Sequence, residues 1–208
     1  MSTTLPSHTV LRARAHRLLD GIAAGIVLPL RLAHHGGLIT FSSSSQLLAL
    51  LPGQVGRFLR RAWYSRELAS CGHNLVVDFG AAIRTARTRV GHDCYIGLYN
   101  WVGIADIGDD FMSGSHVVIL SGGRTHGFTD LSRPMRLQGS DMRRVTIGSD
   151  VWVGAQVTIM ADVAAHSLIG SGAVVTKRFD EYDMLGGVPA APIGNRRTWR
   201  EPPDPAVL

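Results

Sequence analysis

Lysine is almost absent from this 208-residue chain: Lys177 is the sole example, and arginine supplies the other twenty cations. An arginine-only surplus over 16 acidic residues suits anion or phosphate contacts, or reflects a bias of the whole sequence. With only two cysteines, Cys71 and Cys94, a disulfide framework is excluded and a cytoplasmic setting is expected. Aromatics are sparse and do not interleave with a basic stripe, which argues against nucleic acid as a partner. Long apolar runs are missing as well. The run Gly21 to Leu30 is short, contains Pro29 and is flanked by Asp20 and Arg31, so it falls below bilayer-spanning length. It lacks a small-residue cleavage site and is not read as a signal peptide. A helix packed on its own domain or on a neighbouring subunit is expected there. Arg12, Arg14, Arg17 and Arg31 also suit peripheral contact with an anionic membrane at the inner face.

The second half of the chain lacks the 3.6-residue period of a helix and the long two-residue alternation of an extended strand. In their place runs a period of six: Val90-Gly91, Ile96-Gly97, Val102-Gly103, Ile107-Gly108, then Ile147-Gly148, Val153-Gly154 and Ile169-Gly170. Ser113-Gly114 keeps the phase with a polar first residue, and Ile119, Ile159 and Val175 keep it without glycine. Fifth positions are also small or apolar, among them Cys94, Val117, Val157 and Ala173. Such units predict short strands joined by tight corners, with the first residue inside and glycine serving the turn. Three units close one triangular coil, and stacked coils bury a continuous apolar column.

Three regions follow. Residues 1–71 carry no regular hexads; a helix capped by Ser45 is expected from Gln46, Pro52-Gly53 stops it, and Phe58, Leu59, Ala62 and Trp63 mark an amphipathic helix that caps the coil. Residues 72–187 form the solenoid. Between Ile119 and Ile147 the period is lost, and the excursion 121–144 contains His126. A long loop inside a regular scaffold points to function. Only ten residues separate Ile159 from Ile169, so a corner near Ala164 to Ser167 is expected to be tightened. Residues 188–208 read as an extended tail crossing the last coil.

The ordered set His126-Gly-Phe-Thr-Asp130, Ile147-Gly-Ser-Asp-Val-Trp-Val-Gly-Ala155, Ile169-Gly-Ser-Gly-Ala-Val-Val-Thr-Lys177 and Gly187-Val-Pro-Ala190 resembles the left-handed β-helix acetyltransferases. Within them it is most similar to the maltose/galactoside acetyltransferase-like branch, which includes enzymes that O-acetylate bacterial polysaccharides. The resemblance implies an all-β solenoid, a left-handed parallel β-helix with an N-terminal helical region and an extended C-terminal tail. It implies acetyl-CoA as acyl donor, a sugar or glycan hydroxyl as acceptor, no metal, and a homotrimer with active sites between subunits. His126 matches the catalytic histidine, and imidazole suits removal of a hydroxyl proton near neutral pH. The backbone N–H of Ala155 matches the oxyanion donor. Trp152 and Ser171 match positions along the pantetheine arm, and Thr176 and Lys177 positions near the nucleotide. The tail arginines of the family are replaced by Ala191 and Gly194, leaving Arg196 as the nearest cation.

No nucleophilic cysteine or Gly-x-Ser-x-Gly elbow is evident, so direct attack is expected over an acyl-enzyme. Asn100 and His116 are candidates for acceptor binding, although Asn100 sits at an inward fifth position where a core amide also fits. Three other readings share the scaffold: N-acetylation of an amino sugar, a non-catalytic hexapeptide-repeat module, and a γ-class carbonic anhydrase. The last needs histidine spacing that His116 and His126 do not provide.

Overall fold

The computed structural model describes residues 7–200, with side chains from residue 19 onward; Arg12, Arg14 and Arg17 therefore have side chains outside the described residues. Three helices, α1 (Ser7–His35), α2 (Phe41–Ala49) and α3 (Gly53–Glu67), precede a solenoid of about 6 turns. The solenoid is a left-handed parallel β-helix.

Strand pairing defines its three faces. Interior residues of the first face are Cys71, Val90, Ile107, Ile147 and Val163. Those of the second are Val77, Ile96, Ser113, Val153, Ile169 and Leu185. Those of the third are Ile83, Val102, Ile119, Ile159 and Val175. From first to second face, and from second to third, the step is six residues in each of these five coils. From third back to first it is 7, 5, 28 and 4 residues in turn. All variation in coil length is confined to one edge of the prism, and the excursion loop leaves from that edge. The shortened corner lies between Ile159 and Val163, not at Ala164 to Ser167, because Ile147 pairs with Val163.

The hexad glycines have a different purpose from the one expected. Gly91, Gly108, Gly148 and Gly154 do not take positive φ; a Cβ on any of them would come within 2.7 Å of backbone in the next coil. Their absence of a side chain lets coils stack. The left-handed conformation falls two residues later on non-glycine residues, Asp93, Asp110, Asp150 and His166 at one corner and Tyr99, His116 and Gln156 at the next.

Polar groups inside the column are paired. The Asn100 side-chain amide donates to Ser113 Oγ at 2.6 Å and its carbonyl accepts from the Val117 N–H at 2.8 Å. Ser113 thus fills an isoleucine position without an unsatisfied hydroxyl.

The helices close the first coil. Helix α2 begins at Phe41 and is capped by Thr40, whose Oγ1 accepts from the Ser43 N–H. The expected start at Gln46 is five residues late, because Ser44 and Ser45 are buried inside the helix and Ser45 accepts from the Trp63 indole. The fully buried Arg60 donates Nε to Val77 O and Nη1 to Leu48 O and Leu51 O. Gly56 makes room for this: a Cβ there would sit 1.9 Å from Leu51 O and 2.8 Å from Arg60 Nη1. The Ile83 N–H donates to Tyr64 Oη and the Gly80 N–H to Ala49 O, so edge groups of the first coil find partners in the cap. At the other end, Ala191–Asn195 pairs antiparallel with Asp183–Gly186. The expected crossing tail is a hairpin that adds a strand to the second face.

Two outcomes are expected. Arg60→Leu leaves three carbonyls without their charged donor, and the urea midpoint should fall by the equivalent of about 3 kcal/mol; an unchanged midpoint would show that packing alone holds the cap. The second concerns Asp78, whose carboxyl accepts from Arg57, the Phe79 N–H and Tyr95 and is held at about 2, chiefly by the Arg57 hydrogen bond. A folded-state value below the unfolded one stabilises above the unfolded value and is lost as pH falls towards 2. Stability should therefore drop by about 2 kcal/mol between roughly pH 5 and pH 2, and Asp78→Asn should flatten that slope in pH-dependent urea titrations.

Candidate active site

The loop 121–144 is ordered by its own bonds. Its two arms pair through Arg143 N–H to Ser121 O (2.8 Å), Asp141 N–H to Arg124 O (3.2 Å) and Gly127 N–H to Gly139 O (2.7 Å). Its far end is closed by Asp130, which accepts from the Ser132 N–H and hydroxyl, and by Gln138, which donates to Asp130 O and Arg133 O. The base is pinned to the coil by Arg143 on Asp162 and Arg144 on Asp106.

His126 lines a cleft of about 460 Å³ between the two arms, together with Arg124, Phe128, Thr129, Ser140 and Asp141. A second cleft of about 320 Å³ lies at the loop base, bounded by Met160, Ala161 and Thr176 and sharing Arg124 and Asp141 with the first. His126 and Thr176 are thus on the same third-to-first edge. Arg124 and Asp141 were not singled out from the sequence, because no motif marks the residues on either side of the histidine motif.

Ala155 and Ser171 meet elsewhere, at the corner between the second and third faces. The Ala155 N–H donates to Ser171 Oγ at 3.1 Å. The same contact recurs where the Asp109 N–H donates to Ser149 Oγ, so serine in the Ile-Gly-Ser units satisfies a corner N–H of the preceding coil. This gives Ser171 a structural role beside any ligand contact. Trp152, on the outer side of the second face, is 50% exposed and free to meet a ligand or another chain. His116 is at the same corner as Ala155, one coil nearer the N-terminus, since the Gln156 N–H donates to Ser115 O. Its ring stacks on Tyr99 at 5.1 Å.

Two expected site residues, Asn100 and Arg196, are placed differently. Asn100 is 2% exposed with both ends of its amide engaged in the column, so it is a core residue and not an acceptor contact. Arg196 is at the first-to-second corner, where its Nη1 donates to the Asp150 carboxylate (2.9 Å) and to His166 O (2.8 Å). His166 and Arg196 together hold the Asp150 carboxyl below the usual range. The guanidinium staples the tail to the coil, away from Ser171 and Thr176. Lys177 Nζ rests 5.4 Å from the Phe179 ring.

Burial pushes both thiols, Cys71 and Cys94, up to about 11, so neither is a ready nucleophile. Among the described residues, no three His, Cys, Asp or Glu side chains gather as a metal site.

No protein-family model matches the chain. A probable acetyltransferase of Mycobacterium tuberculosis is 31% identical over 74 residues, 35% of this chain and 25% of that protein. The chain thus spans about a quarter of the length of the curated relatives it matches. A hexapeptide-repeat-containing acetyltransferase from Vibrio cholerae O1 biovar eltor, complexed with acetyl coenzyme A, superposes with a TM-score of 0.58. The superposition covers 74% of this chain and 84% of that one at 17% identity. The chain has the fold of the hexapeptide-repeat acetyltransferases. A maltose O-acetyltransferase from Clostridium difficile 630 gives a TM-score of 0.50 at 20% identity, over 74% of this chain and 84% of that one.

Proposed function

We propose that this protein is an acetyl-CoA-dependent O-acetyltransferase that modifies a hydroxyl of a sugar or glycan, with His126 as general base. The observation that carries the reading is an exposed histidine in a formed cleft, on a loop that departs from an otherwise regular coil. Neighbours of the same fold with coenzyme A or maltose in their names support the donor and the acceptor class.

The chemistry assigns a task to each group. The imidazole of His126 takes the proton of the acceptor hydroxyl as its oxygen attacks the thioester carbonyl. The Ala155 N–H stabilises the negative charge that builds on the carbonyl oxygen. That N–H bonds Ser171 Oγ of the neighbouring coil, so in this reading the serine hydroxyl rotates aside or adds its own proton. As the carbon–sulfur bond breaks, the imidazolium returns the proton to the leaving thiolate. Trp152, Ser171, Thr176 and Lys177 line the path of the donor.

His126 leaves from one edge of the prism, whereas Ala155 and Ser171 are on another. One face separates the root of the loop from that corner, six residues wide or about 20 Å. A base must come within about 3 Å of the proton it removes. We infer that the site combines the loop edge of one subunit with the Ala155 corner of the next, in a homotrimer; the separate edges support this reading. Exposed apolar residues on the loop (Phe128, Leu131, Met135) and on the second face (Met112, Trp152) supply contact surface for that assembly. Two free cysteines, Cys71 and Cys94, support a reducing, cytoplasmic setting.

Two measurements test this. His126→Ala should lower kcat by about a hundredfold or more with little change in acetyl-CoA affinity by calorimetry, while His116→Ala costs much less; equal effects would sink the assignment. Light scattering at micromolar concentration should give the trimer mass, and a monomer mass would remove the composite site.

A further inference from the structure

The helical cap has an outer surface that the solenoid does not use. Ten large hydrophobic residues between Leu19 and Val55 are exposed, and every one is Leu, Ile or Val. Among the described side chains of α1, only Ala23 and Val27 are buried, whereas Leu19, Ile22, Ile26, Leu28 and Leu32 are 42–64% exposed. A shallow apolar groove of about 130 Å³ runs between α1 and α3 along Leu19, Ile22, Ile26 and Val55. A helix that is apolar on most of its circumference is normally covered.

Charge identifies what covers it. Residues 1–70 contain eight arginines against two acids, Asp20 and Glu67, whereas residues 71–208 hold thirteen Lys and Arg against fourteen Asp and Glu. Of the arginines there with described side chains, Arg31, Arg57 and Arg61 pair with Glu67, Asp78 and Asp20 and Arg60 is buried, so the excess rests on Arg66 and, in the sequence, on Arg12, Arg14 and Arg17. Among the described residues Arg66 bonds Ala62 O and Ser65 Oγ and has no acidic partner. Aliphatic residues beside cations of one sign are the make-up of a helix lying in a lipid headgroup layer. Protein interfaces favour aromatic anchors, and no aromatic residue is among the exposed hydrophobics of the cap. No described helix is long and apolar enough to cross a membrane.

We propose that the outer face of α1, with the neighbouring edge of α3, docks onto an anionic phospholipid surface. This docking is independent of the acetyl-transfer reading and holds whether or not His126 is catalytic.

The test uses the full chain and vesicles of phosphatidylcholine, with and without phosphatidylglycerol. The protein should float with the anionic vesicles at low salt and not with the neutral ones, and the bound fraction should fall severalfold once salt shortens the screening length to about 3 Å. Ile22→Glu/Val55→Glu, at two exposed positions, should reduce vesicle affinity at least tenfold while leaving the urea midpoint and the solution mass unchanged. If that variant unfolds, Ile26→Ser carries the same comparison. Absence of flotation with anionic vesicles at low salt overturns the proposal, as does equal binding by a folded variant. A fall in solution mass on substitution also overturns it, because the face would then be a contact between copies of this chain.

Discussion

At two corners of the prism the chain turns in six residues, and the physical cause is the fit between neighbouring coils. The first residue of each unit enters the column, the glycine after it lies against the backbone of the next coil, and the residue two further on takes a left-handed conformation. Corner N–H groups then bond the corner of the preceding coil, as Asp110 to His92 O and Gln156 to Ser115 O. An added residue at either corner would break this ladder in every coil stacked upon it. At the third corner only Gly122 has positive φ among the described residues, and coil lengths there range widely. The one edge that tolerates insertions is the edge that carries the His126 loop.

The column also needs its ends covered. Parallel strands at an open coil end have unpaired carbonyls and N–H groups, which attract other strands. Here Arg60, Tyr64 and Ala49 meet those groups at the first coil, and the Ala191–Asn195 strand adds the last one. Burying a guanidinium is costly unless its protons are taken up by acceptors. Arg60 donates to three carbonyls, with Nη2 buried and without a partner among the described residues, so the cap is fixed to the solenoid by directional bonds as well as by Trp63 and Leu59 packing. That rigid attachment lets the cap present an apolar outer surface without loosening from the coil.

The proposed chemistry uses the same regularity. Ser171 belongs to an Ile-Gly-Ser unit whose serine satisfies a corner N–H, and that N–H is the one assigned to the oxyanion. In the proposed reading, a structural contact between coils gives way to a stronger acceptor. Lys177 and Trp152 remain available on outward positions, whereas Arg196 is committed to Asp150 and His166.

The six-residue period by itself determined the solenoid, its interior residues and the extent of the excursion loop, because each is a local pattern written into every coil. Helix α3 and its capping role were legible for the same reason. What the period could not give was which corner absorbs the irregular lengths, since Ile159 to Ile169 can be shortened on either side of Val163 and only strand pairing decides. Tertiary structure also decided that Asn100 is core, that Arg196 staples the tail, and that Arg124 and Asp141 line the histidine cleft. The first two depend on partners 13 to 46 residues away in sequence, brought together only when the coils stack, and the third on the pairing of the two loop arms.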